Sequence, residues 1–131
     1  MESVNLENIP DEINTLIEKI KDLEEANKAY NILENFRCKY MDILDEERKV
    51  AYNGMKAIGW KMQYMSMDIK DEFEDVCKRL STVFMYNHEG ICYHANNTKD
   101  GIKFVVLEKG STNIIITNID GCITVKEIPA G

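Results

Sequence analysis

The stretch that decides the fold is IKFVVLEKGSTNIIITNIDGCITVKEI, residues 102–128. Apolar residues, many of them β-branched, alternate with polar ones or run together, and turns at Gly110 and Asp120-Gly121 divide the stretch into three segments. Alternation at a period of two is typical of strands, and Asp-Gly is favoured in tight hairpins. Glycines continue this rhythm upstream, recurring every 9–11 residues at Gly90, Gly101, Gly110 and Gly121. The pattern predicts an antiparallel meander over residues 81–131.

The predicted strands cover residues 81–86, 91–95, 102–108, 112–117 and 122–128. Strict alternation predicts an inward-facing set made of Ile102, Phe104 and Val106 on the third strand and Ile123 and Val125 on the last. Residues 114–116 are all isoleucine and would be apolar on both faces of a strand. We therefore expect that strand to be buried on both sides, by the helices or by a partner subunit.

Residues 1–80 follow a helical period instead. Pro10 suits the first turn of a helix, where its missing N–H would be unpaired in any case. Ile13, Leu16, Ile20 and Leu23 then recur every three or four residues, and Asn27 occupies the next position of this heptad seam. Such a seam predicts a helix that pairs in a two-helix hairpin or in a short dimer interface.

A second helical pattern occupies residues 51–69, where apolar residues are spaced by four and three. Gly54 and Gly59 interrupt it, and each costs about 1 kcal/mol relative to alanine in a helix interior. Residues 58–64 also alternate at a period of two, so helix and strand both remain open there. Ser66 and Asp68 resemble N-caps, which predicts a separate helix over residues 71–80.

These patterns predict an α+β fold, with two or three N-terminal helices packed against a C-terminal antiparallel β-meander of four to five strands. The length of 131 residues fits a single domain, with residues 1–80 as its helical part and residues 81–131 as its sheet. The heptad seam and the two-sided strand predict a homo-oligomer, most simply a dimer.

The net charge of −7 lies almost wholly in the helical part, because residues 1–80 hold 18 acids and 12 bases. A negative field repels a phosphate backbone and attracts a basic partner. Direct nucleic-acid binding is therefore not expected. Four acids of the first helix, chosen as candidate binding residues, are Glu18, Asp22, Glu24 and Glu25.

The cysteines and the N-terminal residues indicate the cellular compartment of the protein. No two of the four cysteines stand in a CxxC spacing, and residues 1–5 resemble no secretory signal. We expect reduced thiols, no membrane span and a place in the cytoplasm of a bacterial host. Heavy use of Ile, Asn, Lys and Glu further indicates AT-rich coding, as in a low-GC bacterium, its phages or its mobile elements.

The catalytic residue types cluster at His88, Cys92 and His94, with Tyr86 and Tyr93 beside them. Two imidazoles and a thiol could bind zinc if a fourth ligand, such as Cys122, came from elsewhere, and two histidines could serve as general acid and base. The plainer interpretation is a turn histidine, a solvent-facing histidine and a core cysteine. The spacing matches no established zinc module, so no cofactor is expected.

The only tryptophan and four of the seven methionines lie between Met55 and Met67. Such a stretch can form an adaptable binding surface, or it can pack under the sheet as core, which is the commoner arrangement. Aromatic residues also line small-molecule pockets. The candidates for a pocket between subunits are Trp60, Tyr64, Tyr86 and Tyr93.

The leading hypothesis is a non-enzymatic acidic protein that binds, and inhibits, a basic nucleic-acid-handling partner, as phage or mobile-element anti-defence proteins do. One alternative is an oligomer that binds or sequesters a small molecule or nucleotide in the aromatic pocket. The other is a small hydrolase or nuclease that uses His88 and His94. No nucleotide-binding loop and no serine-nucleophile motif is present in the sequence.

Overall fold

The computed structural model describes residues 5–39, 45–97 and 103–129. Two helices, α1 (Ile9–Lys39) and α2 (Asp45–Leu80), precede five strands. The strands are β1 (Tyr86–His88), β2 (Ile91–Asn97), β3 (Lys103–Lys109), β4 (Thr112–Ile119) and β5 (Cys122–Pro129). All neighbouring strands pair antiparallel in the order β1-β2-β3-β4-β5. The predicted α+β meander is confirmed.

By its internal packing the chain divides into two compact units. The first comprises Met1–Ile20 with Ile69–Gly131, and the second comprises Lys21–Asp68. Both helices run through both units. The single domain over residues 1–131 stays a prediction.

The core of the first unit joins the two helices to one face of the sheet. Helical residues at spacings of three and four are almost completely buried: Ile9, Ile13, Leu16 and Ile20 in α1, and Ile69, Phe73, Val76 and Leu80 in α2. The buried side chains of the sheet's covered face are Tyr93, Val105, Leu107, Ile116 and Ile123. Burial is the main cause of the raised pKa of Tyr93, and the Asp11 carboxylate of α1 adds a smaller increase, in line with a helix beside this face.

The alternation on β3 is the reverse of the prediction. Val105 pairs with Ile116 and Leu107 with Ile114, so these residues share the covered face, and Phe104 and Val106 point to the other side. A shift of one residue exchanges the two faces of a strand. Ile123 and Val125 do lie on the covered side, whereas Ile102 lies outside the described residues.

Helix α2 is continuous where the sequence predicts an interruption. Residues 54–67 are helical throughout, and Ser66 and Asp68 lie inside the helix rather than capping a new one. A Cβ on Gly54 would stand 3.3 Å from Leu33 Cδ1, so the glycine allows α1 to approach closely. Packing of the hairpin thereby outweighs the poor helix propensity of glycine.

The end of α2 explains why the first strand begins later than predicted. Ser81 Oγ donates to Lys78 O at 2.9 Å, and Thr82 Oγ1 donates to Arg79 O at 2.7 Å. These hydroxyls bind carbonyls of the last helical turn, and Arg79 O also accepts the backbone N–H of Thr82 at 3.2 Å. Residues 81–85 therefore form a turn and bend, and β1 starts at Tyr86.

Two hairpins use the expected turn chemistry. Glu89-Gly90 and Asp120-Gly121 both have positive φ at the two central positions, with values of 51° and 79°, and 51° and 84°. This is the type I′ geometry that matches the twist of paired strands, and glycine adopts it without steric cost. These turns set the register of β1 with β2 and of β4 with β5.

Candidate functional site

The four candidate acids of α1, Glu18, Asp22, Glu24 and Glu25, are all exposed and are named here the acidic set. Glu18, Asp22 and Glu25 stand four and three residues apart, which aligns them along one side of a helix. Across the described residues, none of the four carboxylates forms an ion pair or side-chain hydrogen bond. Like charges at these spacings repel one another. Lys21 stands four residues before Glu25 and Lys28 stands four residues after Glu24, close enough to offset part of this repulsion without forming an ion pair among the described residues.

Other carboxylates of α1 and α2 form ion pairs within the protein. Arg79 Nη1 lies 2.6 Å from Glu12 Oε2, and Arg79 Nη2 lies 2.7 Å from Asp75 Oδ2. Lys19 Nζ pairs with Glu72 Oε1. The hydrogen bond to Glu12 is the largest cause of the raised pKa of Arg79. The pairs with Glu12 and Lys19 join α1 to α2 within the first unit, and Glu12, Glu72, Asp75 and Arg79 line the groove between the helices.

The structure does not bring the two histidines together. His88 pairs with Ile91 and shares the covered side with Tyr86 and Tyr93. His94 points to the opposite side, the open face of the sheet, since successive residues of a strand alternate. There His94 Nε2 lies 3.3 Å from Glu108 Oε1, in a pair across β2 and β3.

Cys92 lies on the open face with His94, as the two-residue spacing predicts. Partial burial, and to a smaller degree Glu108, raise the pKa of the Cys92 thiol, which disfavours the thiolate that metals and electrophiles need. Cys122 lies on β5, three strands away from β2, or about 14 Å at the usual strand spacing. In residues 5–39, 45–97 and 103–129 no three His, Cys, Asp or Glu side chains are grouped to hold a metal ion.

The four candidate pocket aromatics form two pairs within the chain. Trp60 and Tyr64 stack at a ring-centroid distance of 6.5 Å on α2, in the second unit. Tyr86 and Tyr93 lie 6.1 Å apart on β1 and β2, in the first unit. Burial raises the pKa of Tyr93, which is only 3% exposed. A pocket between subunits that joins the pairs stays a prediction.

The methionine and aromatic stretch separates into two faces of α2. Met55 is buried and Met62 and Met65 are half-buried, in line with a packed seam. Trp60, Tyr64 and Met67 are exposed by 51%, 66% and 57%. We name these three residues the aromatic stripe.

The sequence contains the signal that separates these faces, although a simple count of residue types misses it. The packed seam runs 55, 58, 62, 65, 69, whereas the stripe runs 60, 64, 67 with the same alternation of three and four. Two residues of offset correspond to about 200° around an α-helix. The stripe therefore faces away from the seam. Asn27, the polar position of the predicted α1 seam, is exposed as well.

No protein-family model, curated protein or solved structure matches this chain. Neither of the helices as described, in residues 9–39 and 45–80, is long and apolar enough to cross a membrane.

Proposed function

We propose that this protein is a non-enzymatic interaction protein whose acidic set binds a basic partner. The observation that supports the proposal is the arrangement of four exposed carboxylates on one helix with no cation paired to them among the described residues. Each like-charge pair at a spacing of three or four costs a helix about 0.2–0.5 kcal/mol. A basic partner would remove that repulsion on binding.

The partner that fits best is a protein that handles nucleic acid. Such proteins present lysine and arginine side chains to a phosphate backbone with regular negative charges. A row of carboxylates would compete for the same cations and would inhibit the partner by occupying its binding groove. An anti-defence protein of a phage or mobile element acts in this way, and the AT-rich composition agrees with that source.

The electrostatic nature of the proposed contact predicts its rate and its salt dependence. Attraction between oppositely charged surfaces accelerates association and weakens as salt shortens the Debye length from about 10 Å at 0.1 M to about 3 Å at 1 M. Binding should therefore weaken steeply with salt. A contact based on apolar burial would not weaken in this way.

The test compares two charge variants of equal net charge. The first neutralises the acidic set with the changes Glu18→Gln, Asp22→Asn, Glu24→Gln and Glu25→Gln. The matched control neutralises four exposed acids outside it, with Asp71→Asn, Glu74→Gln, Asp120→Asn and Glu127→Gln. Both variants gain four positive units of net charge, so a general effect of charge is separated from an effect of position.

The three proteins are immobilised and exposed to one bacterial lysate treated with nuclease, and captured proteins are quantified by mass spectrometry at low and at high salt. The proposal expects basic nucleic-acid-binding proteins on the wild type and on the control, absent from the variant of the acidic set, and eluted by salt. The affinity of each purified partner is then measured with the same three proteins. Equal affinity for wild type and acidic-set variant, or binding that does not change with salt, would refute the proposal.

A further inference from the structure

We propose that the aromatic stripe is a self-association surface on which α2 pairs antiparallel with α2 of a second copy, about a two-fold axis beside Tyr64. This interface is distinct from the acidic set, which lies on α1. It uses residues of the second unit alone.

The aromatic stripe exposes three large side chains on one helix face, which is unusual. Trp60, Tyr64 and Met67 are all more than half exposed, and Trp60 and Tyr64 already stack on one another. Tryptophan and tyrosine are the residues most enriched at the energetic centres of protein interfaces, and methionine adapts to partner surfaces. Contiguous apolar area of this kind is typical of an interface.

Charge decides which partner fits. Lys61 stands three residues before Tyr64 and Asp68 stands four residues after it, so the two flank the stripe on the same side of the helix. Both residues are exposed. A two-fold axis beside Tyr64 places Lys61 of one copy opposite Asp68 of the other, and the symmetry repeats the pair. Asp68 already takes part in an interaction within its own chain. A carboxylate can accept several hydrogen bonds, so Asp68 can also pair with Lys61 of the second copy.

The same two-fold axis also brings the large side chains of the two stripes into contact. Tyr64 meets its own counterpart, and Trp60 meets Met67 of the other copy, since they lie at nearly equal distances on either side of the axis. Aromatic pairs and sulfur–aromatic contacts both stabilise such an arrangement. In a parallel pairing the two-fold axis runs along the helices, so Lys61 and Asp68 of the two copies lie on opposite flanks of the interface and form no pairs across it. The antiparallel arrangement is therefore the one that the side chains satisfy at every position.

The first experiment is sedimentation equilibrium of the full chain over a series from micromolar to millimolar. We expect a monomer–dimer equilibrium that Trp60→Ser with Tyr64→Ser shifts to monomer. The matched control, Ile119→Ser with Ile128→Ser, removes exposed apolar side chains from the sheet and should dimerise as the wild type does. Far-ultraviolet circular dichroism establishes that each variant remains folded. A wild type that stays monomeric throughout, or a stripe variant that dimerises equally well, would overturn the proposal.

Charge reversal tests the orientation. Lys61→Glu and Asp68→Lys should each raise the dimer dissociation constant by about threefold to tenfold, because two surface ion pairs become two repulsive contacts. The double variant reverses both charges and restores both pairs, so its dissociation constant should return close to the wild-type value. Additive weakening in the double variant would refute the antiparallel pairing.

Disulfide trapping tests the axis itself. Tyr64→Cys places two thiols beside the axis, and mild oxidation should join the copies through them. Lys56→Cys lies eight residues from the axis, which separates its two copies by about 24 Å and should prevent the bond. Peptide mapping distinguishes these bonds from any formed by the exposed native Cys122. Cross-linking at Lys56→Cys and not at Tyr64→Cys would place the interface elsewhere.

Discussion

The two compact units differ in whether their large apolar side chains are buried or exposed. In the first unit the apolar faces of both helix segments are buried against the sheet, and Arg79 pairs with Glu12 and Asp75. In the second unit, among the side chains described, Met55 is the only buried apolar residue, while Trp60 and Tyr64 face solvent. Groups that pack within the chain contribute to its stability. Groups that the chain leaves exposed are available to a partner. In the functions we propose, the binding residues lie in the second unit, apart from Glu18, which belongs to the first.

Removing a core side chain from the first unit should have the largest effect on stability. Phe73→Ala deletes a fully buried ring and leaves a cavity, which should lower the free energy of unfolding by about 3–5 kcal/mol. Urea denaturation followed by circular dichroism measures this. Trp60→Ala, an equally drastic truncation in the second unit, should change the monomer's stability by less than about 0.5 kcal/mol. Similar losses at the two positions would remove the contrast between the units.

Alkaline pH should lower stability through Cys77, which is buried in the first unit. Burial raises the pKa of its thiol from 9.0 to about 12, with smaller effects from Lys103 and Glu74. Between these values the unfolded chain releases the proton and the folded chain keeps it, so stability falls by up to about 1.4 kcal/mol per pH unit. Below pH 9 the thiol is protonated in both states and contributes no slope.

The contribution of Cys77 is obtained from the difference between wild type and Cys77→Ala, measured by urea denaturation from pH 8 upward under reducing conditions. Tyrosines and lysines titrate in both proteins, and their effects cancel in the difference. The stability gap between the two proteins should narrow as pH rises above 9.0, the ordinary value for this thiol. A gap that stays constant through this range would show that Cys77 ionises alike in both states.

Breaking the ion pairs of the first unit should have a moderate effect. Arg79→Met keeps much of the side chain's apolar stem but leaves Glu12 and Asp75 without their cation, which should destabilise the protein by about 1–2 kcal/mol. Thermal unfolding at low and high salt provides the measurement. Glu12→Gln tests the same contact from the other partner. If both variants are as stable as the wild type, these ion pairs do not stabilise the fold. Glu12 and Asp75 would then contribute no more to stability than the acids of the acidic set.

Neutralising the acidic set should have the smallest effect on stability, and it should stabilise the protein where the preceding changes destabilise it. Removal of like-charge repulsion at a spacing of four, as between Glu18 and Asp22, should raise the free energy of unfolding by about 0.2–0.5 kcal/mol at low salt. This gain should vanish at high salt. Chemical denaturation of the Asp22→Asn variant at two ionic strengths tests it. A clear loss of stability would mean that these carboxylates contribute to the fold.

Prediction from sequence succeeds best where local rules operate. The hairpin turns at Glu89-Gly90 and Asp120-Gly121 follow from the backbone preferences of their own residues, and both form as type I′ turns. Prediction from sequence fails where the outcome depends on residues that are close only in space. Gly54 suggests a helix interruption in the sequence, but in the structure it allows Leu33 to pack against the helix. Residues 105–107 are all apolar, so alternation does not indicate which side of β3 faces the helices.

The candidate sites follow the same division. Exposure of the acidic set could be predicted, because charged residues rarely lie buried without a partner. The separation of His88 from His94 follows from the register of β1 with β2, which the Glu89-Gly90 turn sets, whereas their closeness in sequence indicates the opposite. Likewise, only the phase of α2 against its packed seam separates Trp60 and Tyr64 from the methionines of the core.

By itself the sequence determined the class of each element, the places where the sheet turns and the sign of the charge, because propensity, turn geometry and ionisation act over a few neighbouring residues. The tertiary structure alone decided which face of each element is covered and which acids find a cation. Those outcomes depend on contacts such as Arg79 with Glu12, between residues far apart in the chain. Burial and pairing are properties of neighbours in space, and a one-dimensional pattern does not contain them.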